Sequence, residues 1–494
     1  MQEILTHNTF GHLALTDTVV VLIAVSLLFV IAYLAGKKES DTSDFFLGKR
    51  SVPMLVACLS FVATEVSAVT IVSVPSVGYS ENWQYLQFFV GSAAARIFVA
   101  FLFIPVFYKF NCTSIYEFLR HRFGPPTQYA GSIFFFITRL VGSGVRLYAA
   151  CLAVSFIMDW PLAPTLLLFT AVSIAFIAFG GIKAVVWSGA YQAIIFYVAG
   201  IALMIYLATH IGANFSKIFQ IADDAGRLSI FNFKFNLNDP TTFWAGTANA
   251  FFLCLAIFGT DQELVQRLLT VDTRKTSQKA IISTIFVSLP ITVIYLSIGT
   301  LLFVFYKLNP AVAAPTEAKT VLSHFVVNVL PAGLKGLVLS AVILASIDSP
   351  LASLSASFVT DIYRPLINRI ASERHYLFVS RAGVVCFGLI LAAIAFACRP
   401  VQTILWFAFQ IVSITGGSLL GIFLLGVFTK QVTGNQRPVT GNNSGNIIAM
   451  IASALCMAAL LILSELKIVP IAWSWLIVFG TILTFTLAYV LRRI

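Results

Sequence analysis

Apolar residues run along the chain in long segments, and most charged positions fall in the short stretches between them. A membrane-spanning helix needs ~20 mainly apolar residues. The sequence therefore predicts an all-α integral membrane protein, with residues 1–494 forming a single transmembrane domain of thirteen spanning helices. The predicted spans are roughly 16–36, 53–79, 84–108, 127–158, 162–180, 184–211, 243–264, 277–306, 333–360, 377–398, 401–429, 446–466 and 469–491.

The composition strengthens this interpretation. The chain is 59% hydrophobic and 10% charged, whereas soluble proteins are about 25% charged. This excludes soluble enzymes, disordered chains and disulfide scaffolds. The net charge of +11 comes from basic residues in short loops without a basic tract, so the expected partner is the lipid bilayer and not nucleic acid. The seven cysteines show no paired spacing, which argues against a disulfide framework or a zinc site.

Lysine and arginine are distributed unevenly between alternate loops. The first apolar segment ends in Gly36-Lys37-Lys38 and lacks a small-residue cleavage site, so it reads as a span and not a signal peptide. With the N-terminus outside, inner loops hold 19 basic residues and outer loops hold 7. Basic residues favour the cytoplasmic side. We therefore expect a multi-pass protein of the plasma (inner) membrane with its C-terminus in the cytoplasm.

The second span contains an acid at its centre. Glu65 lies among Thr64, Ser67 and Thr70 in an otherwise apolar segment. A carboxylate at this depth is costly and is a functional hypothesis by default. We expect a helix broken near residues 63–66, with carbonyl groups free to coordinate a cation. The alternative is a polar packing patch in which Glu65 pairs with an arginine.

The ninth span holds a second polar group. Ser346, Ser349 and Ser353 share one helical face, Asp348 lies beside that face, and Pro350 tends to free the carbonyl of Ser346. Oxygen ligands suit a hard cation such as Na⁺, and no His or Cys cluster indicates a transition metal. The alternative is a seam of small residues that lets two helices pack closely.

The fourth span carries two arginines seven residues apart, Arg139 and Arg146, on one helical face. An intramembrane arginine faces a cavity or a partner, and a guanidinium binds carboxylates through two parallel bonds. Arg139 is the first candidate for contact with the solute. The alternative is a structural salt bridge from either arginine to Glu65 or Asp348, and Arg96 is expected to be structural.

The seventh span begins with polar and aromatic residues. Asn249 and Phe252 are candidate solute contacts, and the span ends in the polar sequence Asp261 to Arg267. Gly259 is the predicted break in this helix, by analogy with the broken second span five helices earlier.

These stretches resemble the sodium:solute symporter family. The matching segments are Ala63–Thr70 with Val74–Tyr79, Gly180–Trp187 with Gln192, Asp261–Arg267, Ser346–Ser353 with Asp361–Tyr363, and Gly421–Lys430. The resemblance implies a five-plus-five inverted repeat of the leucine-transporter type. Its core would cover about 53–211 and 243–429, with one extra helix before it (16–36) and two after it (446–466 and 469–491).

The resemblance also implies a sodium site. The family uses backbone oxygens that correspond to Ala63, Val66 and Val342, and two hydroxyls that correspond to Ala345 and Ser346. One hydroxyl is therefore missing. We expect Asp348, one turn farther along the helix, to compensate by adding a full negative charge. Many members also carry an Asp where this chain has Gly189, which puts a second sodium site in doubt unless Asp348 with Ser349 replaces that Asp.

For the solute, the resemblance is to sialic acid symporters. Arg139 aligns with the arginine that grips a carboxylate in those proteins, and Ser67 and Thr70 match polar contacts. Glu65 replaces a Thr and Phe89 replaces a Gln, so this pocket would be more acidic and more aromatic.

We therefore expect a secondary active transporter that couples Na⁺ to a small polar organic solute, one bearing a carboxylate, by alternating access. Proton coupling through Glu65 or Asp348 is the alternative. Two other classes of protein are less favoured. A channel would need a continuous polar lining, whereas the polar residues here cluster at mid-span, and a sensor would need an attached cytoplasmic domain. The sequence also lacks the nucleotide-binding loop of an ATP-driven pump. Neither catalytic activity, an organic cofactor nor an obligatory protein partner is expected.

Overall fold

Helices account for nearly all regular structure in the computed structural model, which describes residues 13–36, 41–236, 238–347, 350–398, 404–429 and 443–491. The α-helices are α1 (Leu15–Gly36), α2 (Thr42–Leu47), α3 (Met54–Glu65), α4 (Ala68–Ser80), α5 (Phe88–Phe98), α6 (Ile104–Lys109), α7 (Glu117–Phe123), α8 (Pro125–Met158), α9 (Leu162–His210), α10 (Phe215–Asp224), α11 (Phe243–Thr260), α12 (Gln262–Leu269), α13 (Arg274–Leu308), α14 (Val321–Asn328), α15 (Leu334–Ile347), α16 (Leu351–Ser357), α17 (Glu373–Ala397), α18 (Ile404–Phe428), α19 (Asn443–Glu465) and α20 (Leu476–Leu491). Short 3₁₀ turns cover Gly48–Arg50, Trp83–Gln87, Ala318–Thr320 and Trp473–Trp475, and π-helical turns cover Val99–Phe103 and Phe358–Ile367.

The all-α membrane class is confirmed, whereas the count of thirteen spans stays a prediction. Within the described ranges, ten helical stretches are long and apolar enough to cross a membrane, or eleven if one sharply bent pair counts as a span. Three of the predicted spans are not among the ten. The span 53–79 is divided between α3 and α4, and the spans 162–180 and 401–429 correspond to the shorter apolar helices Leu162–Ala178 and Val412–Phe428.

Two breaks between consecutive helices lie at polar sequences in mid-bundle. Between α3 and α4, Val66 and Ser67 leave helical geometry, with ψ angles of 86° and 173°. The sequence predicts this break near residues 63–66, which is within about one residue of its observed position. Between α11 and α12, Asp261 is extended (φ −104°, ψ 121°), and its side chain accepts a bond from the Glu263 N–H at 2.9 Å.

The predicted break at Gly259 is therefore wrong. Gly259 stays inside α11, where a Cβ atom would lie 3.1 Å from the Phe103 ring, so the glycine serves close packing. Asp261 sets the break instead because its carboxylate caps the first turn of α12.

A kink at Gly181 joins the two predicted spans 162–180 and 184–211 within α9. Gly181 has φ 48° and ψ −160°, a conformation that side-chain-bearing residues rarely adopt. Farther along the chain, α15 ends at Ile347 and α16 begins at Leu351; Asp348 and Ser349 lie outside the described residues.

The N-terminal helix α1 is fixed to the bundle by a buried acid. Asp17 is 1% exposed, and its Oδ1 accepts bonds from the backbone N–H groups of Gly333 (2.7 Å) and Gly336 (2.8 Å) at the start of α15. A carboxylate at a helix N-terminus satisfies donors that have no partner within the helix.

At one end of the bundle, α2, the loop before α7, α12 and the Phe358–Ile367 turn meet. We call it the basic end, because these segments lie in or next to the predicted inner loops, which hold most of the basic residues. Gln266 donates to the Phe46 carbonyl at 2.7 Å, and Gln262 accepts from the Ile115 N–H at 2.9 Å. Asp361, fully buried, accepts bonds from Ser114 (2.7 Å) and Ser132 (2.8 Å). This end is therefore closed by direct contacts between distant parts of the chain.

Candidate functional site

A central cavity of about 180 Å³ lies in mid-bundle, where the α3–α4 break faces α5, α8, α11 and α13. Five of the six predicted solute contacts line it: Glu65, Ser67, Thr70, Arg139 and Asn249. Its apolar lining includes the aromatic residues Tyr85, Phe88, Phe89 and Phe258 together with aliphatic side chains such as Leu253 and Ile257. Phe252 is not among the lining residues; its ring packs edge-on against Phe251 at 5.3 Å.

Glu65 is paired with Arg96 of α5. The Nη2 atom of Arg96 lies 2.6 Å and 2.5 Å from the two carboxylate oxygens. Arg96 also donates to Ser92, to Thr284 at 2.9 Å and to Ser288 at 3.1 Å, and it is completely buried. The Glu65 side chain keeps 22% exposure. The pair therefore ties the broken helix to α5 and α13 while leaving one carboxylate face toward the cavity.

Arg139 also has internal partners. It forms an ion pair with Asp261, to which Nε donates at 3.1 Å, and its Nη1 lies 2.7 Å from Glu263. All three residues are at most 9% exposed. Because Asp261 lies at the second helix break and Glu263 lies in the first turn of α12, the guanidinium group fixes α8 to that break.

Asn249 lines the cavity from α11. Its Nδ2 donates to the Ser474 carbonyl at 2.7 Å, whereas its buried Oδ1 accepts no hydrogen bond from the described residues. Buried acceptors are normally satisfied. This oxygen is therefore available to a donor in the cavity.

A second, smaller cavity of about 50 Å³ adjoins the central one, since Ser67 and Arg146 line both. Ala63, Glu263, Ala345 and Ser346 also contribute to its wall.

Two of the remaining predicted sodium ligands, Val66 and Val342, lie in described parts of the chain. Val66 lines the central cavity, and Val342 is buried with its carbonyl accepting the Ser346 hydroxyl at 2.7 Å. The predicted ligands Asp348 and Ser349 lie outside the described residues. Within the described ranges, no group of three or more His, Cys, Asp or Glu is placed to hold a metal ion.

Gly189 packs directly against α3. A Cβ atom built there would lie 2.5 Å from the Ser60 Oγ and 3.2 Å from the Ser60 Cα. An aspartate therefore does not fit here unless α3 moves, which gives a physical reason for the departure seen in the sequence.

Sequence reasoning gives Arg96 a structural role and allows Glu65 to pair with an arginine, but it does not identify the charge partners of Glu65 and Arg139. Arg96 is the partner of Glu65, and Asp261 and Glu263 are the partners of Arg139. A usable signal was the run of buried polar residues from Asp261 to Arg267, which requires countercharges elsewhere in the bundle.

Two broken helices whose ends meet at a buried polar cavity are characteristic of secondary transporters. The family model of the sodium:solute symporter family matches residues 45–437. The chain therefore belongs to this family of Na⁺-coupled solute symporters, which are transporters and not enzymes.

Individual relatives agree with this assignment. The chain is 26% identical over 458 residues to the sodium/sialic acid symporter NanT of Aliivibrio fischeri, covering 91% of this chain and 87% of that protein. It is 26% identical over 405 residues to human sodium-coupled monocarboxylate transporter 2, covering 79% of this chain and 64% of that protein. A solved structure of a substrate-bound, outward-open Na⁺-coupled sialic acid symporter superimposes with a TM-score of 0.85 at 23% identity, covering 97% and 98% of the two chains. That similarity establishes the shared fold.

Proposed function

We propose that this protein imports a small carboxylate-bearing solute together with Na⁺, with the N-terminus outside the plasma membrane. The main support is the adjacency of the two cavities. The smaller cavity contains residues of the expected sodium site, and it shares Ser67 with the central cavity. An ion and a solute bound there would therefore contact the same break between α3 and α4.

The proposed sodium site combines the carbonyls of Ala63 and Val66 with the Val342 carbonyl and the Ser346 hydroxyl. Carbonyls in the last turn of a helix have no partner within that helix, and α3 ends at Glu65. Such oxygens suit a hard monovalent cation. Asp348 and Ser349 remain proposed ligands on the strength of the sequence alone.

The proposed solute carries a carboxylate because the relatives are named for sialic acid and for monocarboxylates. A guanidinium has five N–H donors, and the two acidic partners of Arg139 engage three of its nitrogen atoms. Two N–H donors are left for a solute. The free Asn249 oxygen would accept from a solute hydroxyl or amide, and the aromatic wall would cover its apolar part.

The charges around Arg139 suggest an order of binding. Two carboxylates, Asp261 and Glu263, are paired with this guanidinium, and Glu263 also lies 4.0 Å from Arg267 Nη2. Glu263 also lines the smaller cavity. A Na⁺ bound there would compete with Arg139 for Glu263 and leave the guanidinium more attractive to a solute carboxylate, so we propose that Na⁺ binds first and raises the affinity for the solute.

Proton coupling through Glu65 receives less support. Both Glu65 oxygens contact the buried Arg96, so a proton would have to break this ion pair.

The test begins with Na⁺ alone. In purified protein, NaCl should raise the apparent melting temperature above that in KCl at the same ionic strength, because a ligand that binds the folded state stabilises it. Ser346→Ala should weaken this effect, whereas Ser353→Ala, on the next helix, should retain it. A panel of monocarboxylates and sialic acids then identifies the solute by its Na⁺-dependent shift.

Uptake into proteoliposomes completes the test. Accumulation of the identified solute should require an inward Na⁺ gradient. Equal accumulation with K⁺, or with a pH gradient alone, would contradict Na⁺ coupling. A solute affinity that does not change with Na⁺ would contradict the proposed order of binding.

A further inference from the structure

A cleft of about 550 Å³ opens at the basic end of the bundle. Its walls come from α2, the loop before α7, α7 itself, the start of α8, the Phe358–Ile367 turn with the following loop, and α17. None of its lining residues lines the central or the smaller cavity. The cleft is therefore separate from the two cavities described above.

The cleft carries an excess of positive charge. The charged residues that line it are Arg120, Arg364, Arg369 and Glu117, which sum to two positive charges. Glu117 is already engaged, since it accepts the backbone N–H groups of Thr113 (2.7 Å) and Ser114 (3.1 Å). Within the described ranges, none of the three arginines forms an ion pair.

Two of these arginines are held in place by neutral contacts. The Arg364 guanidinium lies over the Tyr376 ring at 5.0 Å, and Arg369 Nε donates to the Pro365 carbonyl at 2.8 Å. These contacts leave the terminal nitrogen atoms of both groups available. A guanidinium fork binds the oxygens of a phosphate through paired bonds.

Large apolar side chains lie in the same segment as these arginines. Leu366, Ile367 and Ile370 are 55%, 62% and 94% exposed, next to Arg364 and Arg369. Apolar side chains interleaved with basic ones are typical of a surface at the membrane interface, where the apolar groups contact acyl chains and the basic groups contact headgroups. A freely soluble phosphate would leave these apolar residues without a role.

We propose that this cleft binds the phosphate headgroup of an anionic phospholipid, with acyl chains against Leu366, Ile367 and Ile370. Because the lining residues come from α2, α7 and the Phe358–Ile367 turn, the bound headgroup would connect segments that are distant in sequence. It would thereby stabilise the arrangement in which they meet.

The test uses the full-length protein and phosphatidylglycerol as the probe. Native mass spectrometry of the protein titrated with phosphatidylglycerol should show preferential retention over phosphatidylcholine. Each of Arg364→Gln and Arg369→Gln should weaken phosphatidylglycerol binding about fivefold, the effect of one basic residue near an anionic surface. A triple variant that includes Arg120→Gln should lose most of the preference.

Arg374→Gln is the matched control. Arg374 is exposed in the first turn of α17 but does not line the cleft, so this variant should keep the wild-type preference. Equal loss in the control would show a diffuse charge effect and overturn the proposal. Unchanged lipid preference in both single variants would also overturn it. Displacement of the lipid by millimolar inorganic phosphate would assign the cleft to a soluble anion instead.

Discussion

The ion pair between Glu65 and Arg96 gives the sharpest test of the central cavity. Glu65→Gln removes one charge without changing the size of the side chain. It would leave Arg96, which is completely buried, without its counter-ion. A guanidinium cannot lose its proton in a protein. Removing one partner of a buried pair costs about 3–5 kcal/mol. We expect about 3 kcal/mol, since Ser92, Thr284 and Ser288 still accept bonds from Arg96.

The reverse change should cost less. Arg96→Gln leaves the Glu65 carboxylate, which is 22% exposed and therefore costs less to leave unpaired than the completely buried guanidinium. The double variant removes both charges, so its loss of stability should be smaller than the sum of the two single losses by about 2 kcal/mol. The measurement is the free energy of unfolding in an SDS titration, followed by tryptophan fluorescence.

Two results would refute this reasoning. Additive losses would show that the two charges do not stabilise each other in the folded protein. A well-folded Glu65→Gln variant of wild-type stability that no longer binds the solute would show that Glu65 contacts the solute directly and that its pairing with Arg96 is incidental.

Two further substitutions test the packing and the solute site. Gly189→Ala should destabilise the protein by about 1–3 kcal/mol, because its Cβ would overlap Ser60, and a lower apparent melting temperature would show this. Gly416→Ala is the control: its Cβ meets nothing nearer than 3.6 Å, so the variant should be neutral or stabilising in the same melting assay. Arg139→Lys should keep the protein folded but weaken solute binding about tenfold or more by losing the guanidinium fork, as measured by titration of the solute in saturating Na⁺. Wild-type solute affinity in that variant would remove Arg139 from the site.

The membrane class and the first helix break could be predicted because their signals are local. Segment length and composition identify spans, and an acid among hydroxyl residues marks a region where a regular apolar helix is unfavourable. The break at Asp261 was harder to predict, because Gly259 and Asp261 lie within three residues of each other and either could end the helix. Gly259 has the weaker helix propensity, but whether a glycine breaks a helix or admits a neighbouring ring depends on packing.

The pairing of charges could not be predicted, because it depends on tertiary structure. Arg139 and Asp261 are 122 residues apart in the chain, and Arg96 and Glu65 are on different helices. From the sequence, either Arg139 or Arg146 was an available partner for Glu65. The fold instead places Arg96 beside Glu65, although Arg96 had been assigned only a structural role.

Both broken helices follow the same physical principle. Each break exposes backbone groups in a region without bulk water, and each has a carboxylate beside it that is held by an arginine on a neighbouring helix. Arg96 on α5 holds the break at Glu65, and Arg139 on α8 holds the break at Asp261. A buried ion pair is strong only while its geometry is kept. Either break can therefore move only together with the helix that carries its arginine, or after another charge has replaced one partner of the ion pair. If the coupling cation and the anionic solute bind as proposed above, each would bring such a charge into these cavities and so link binding to rearrangement of the helices.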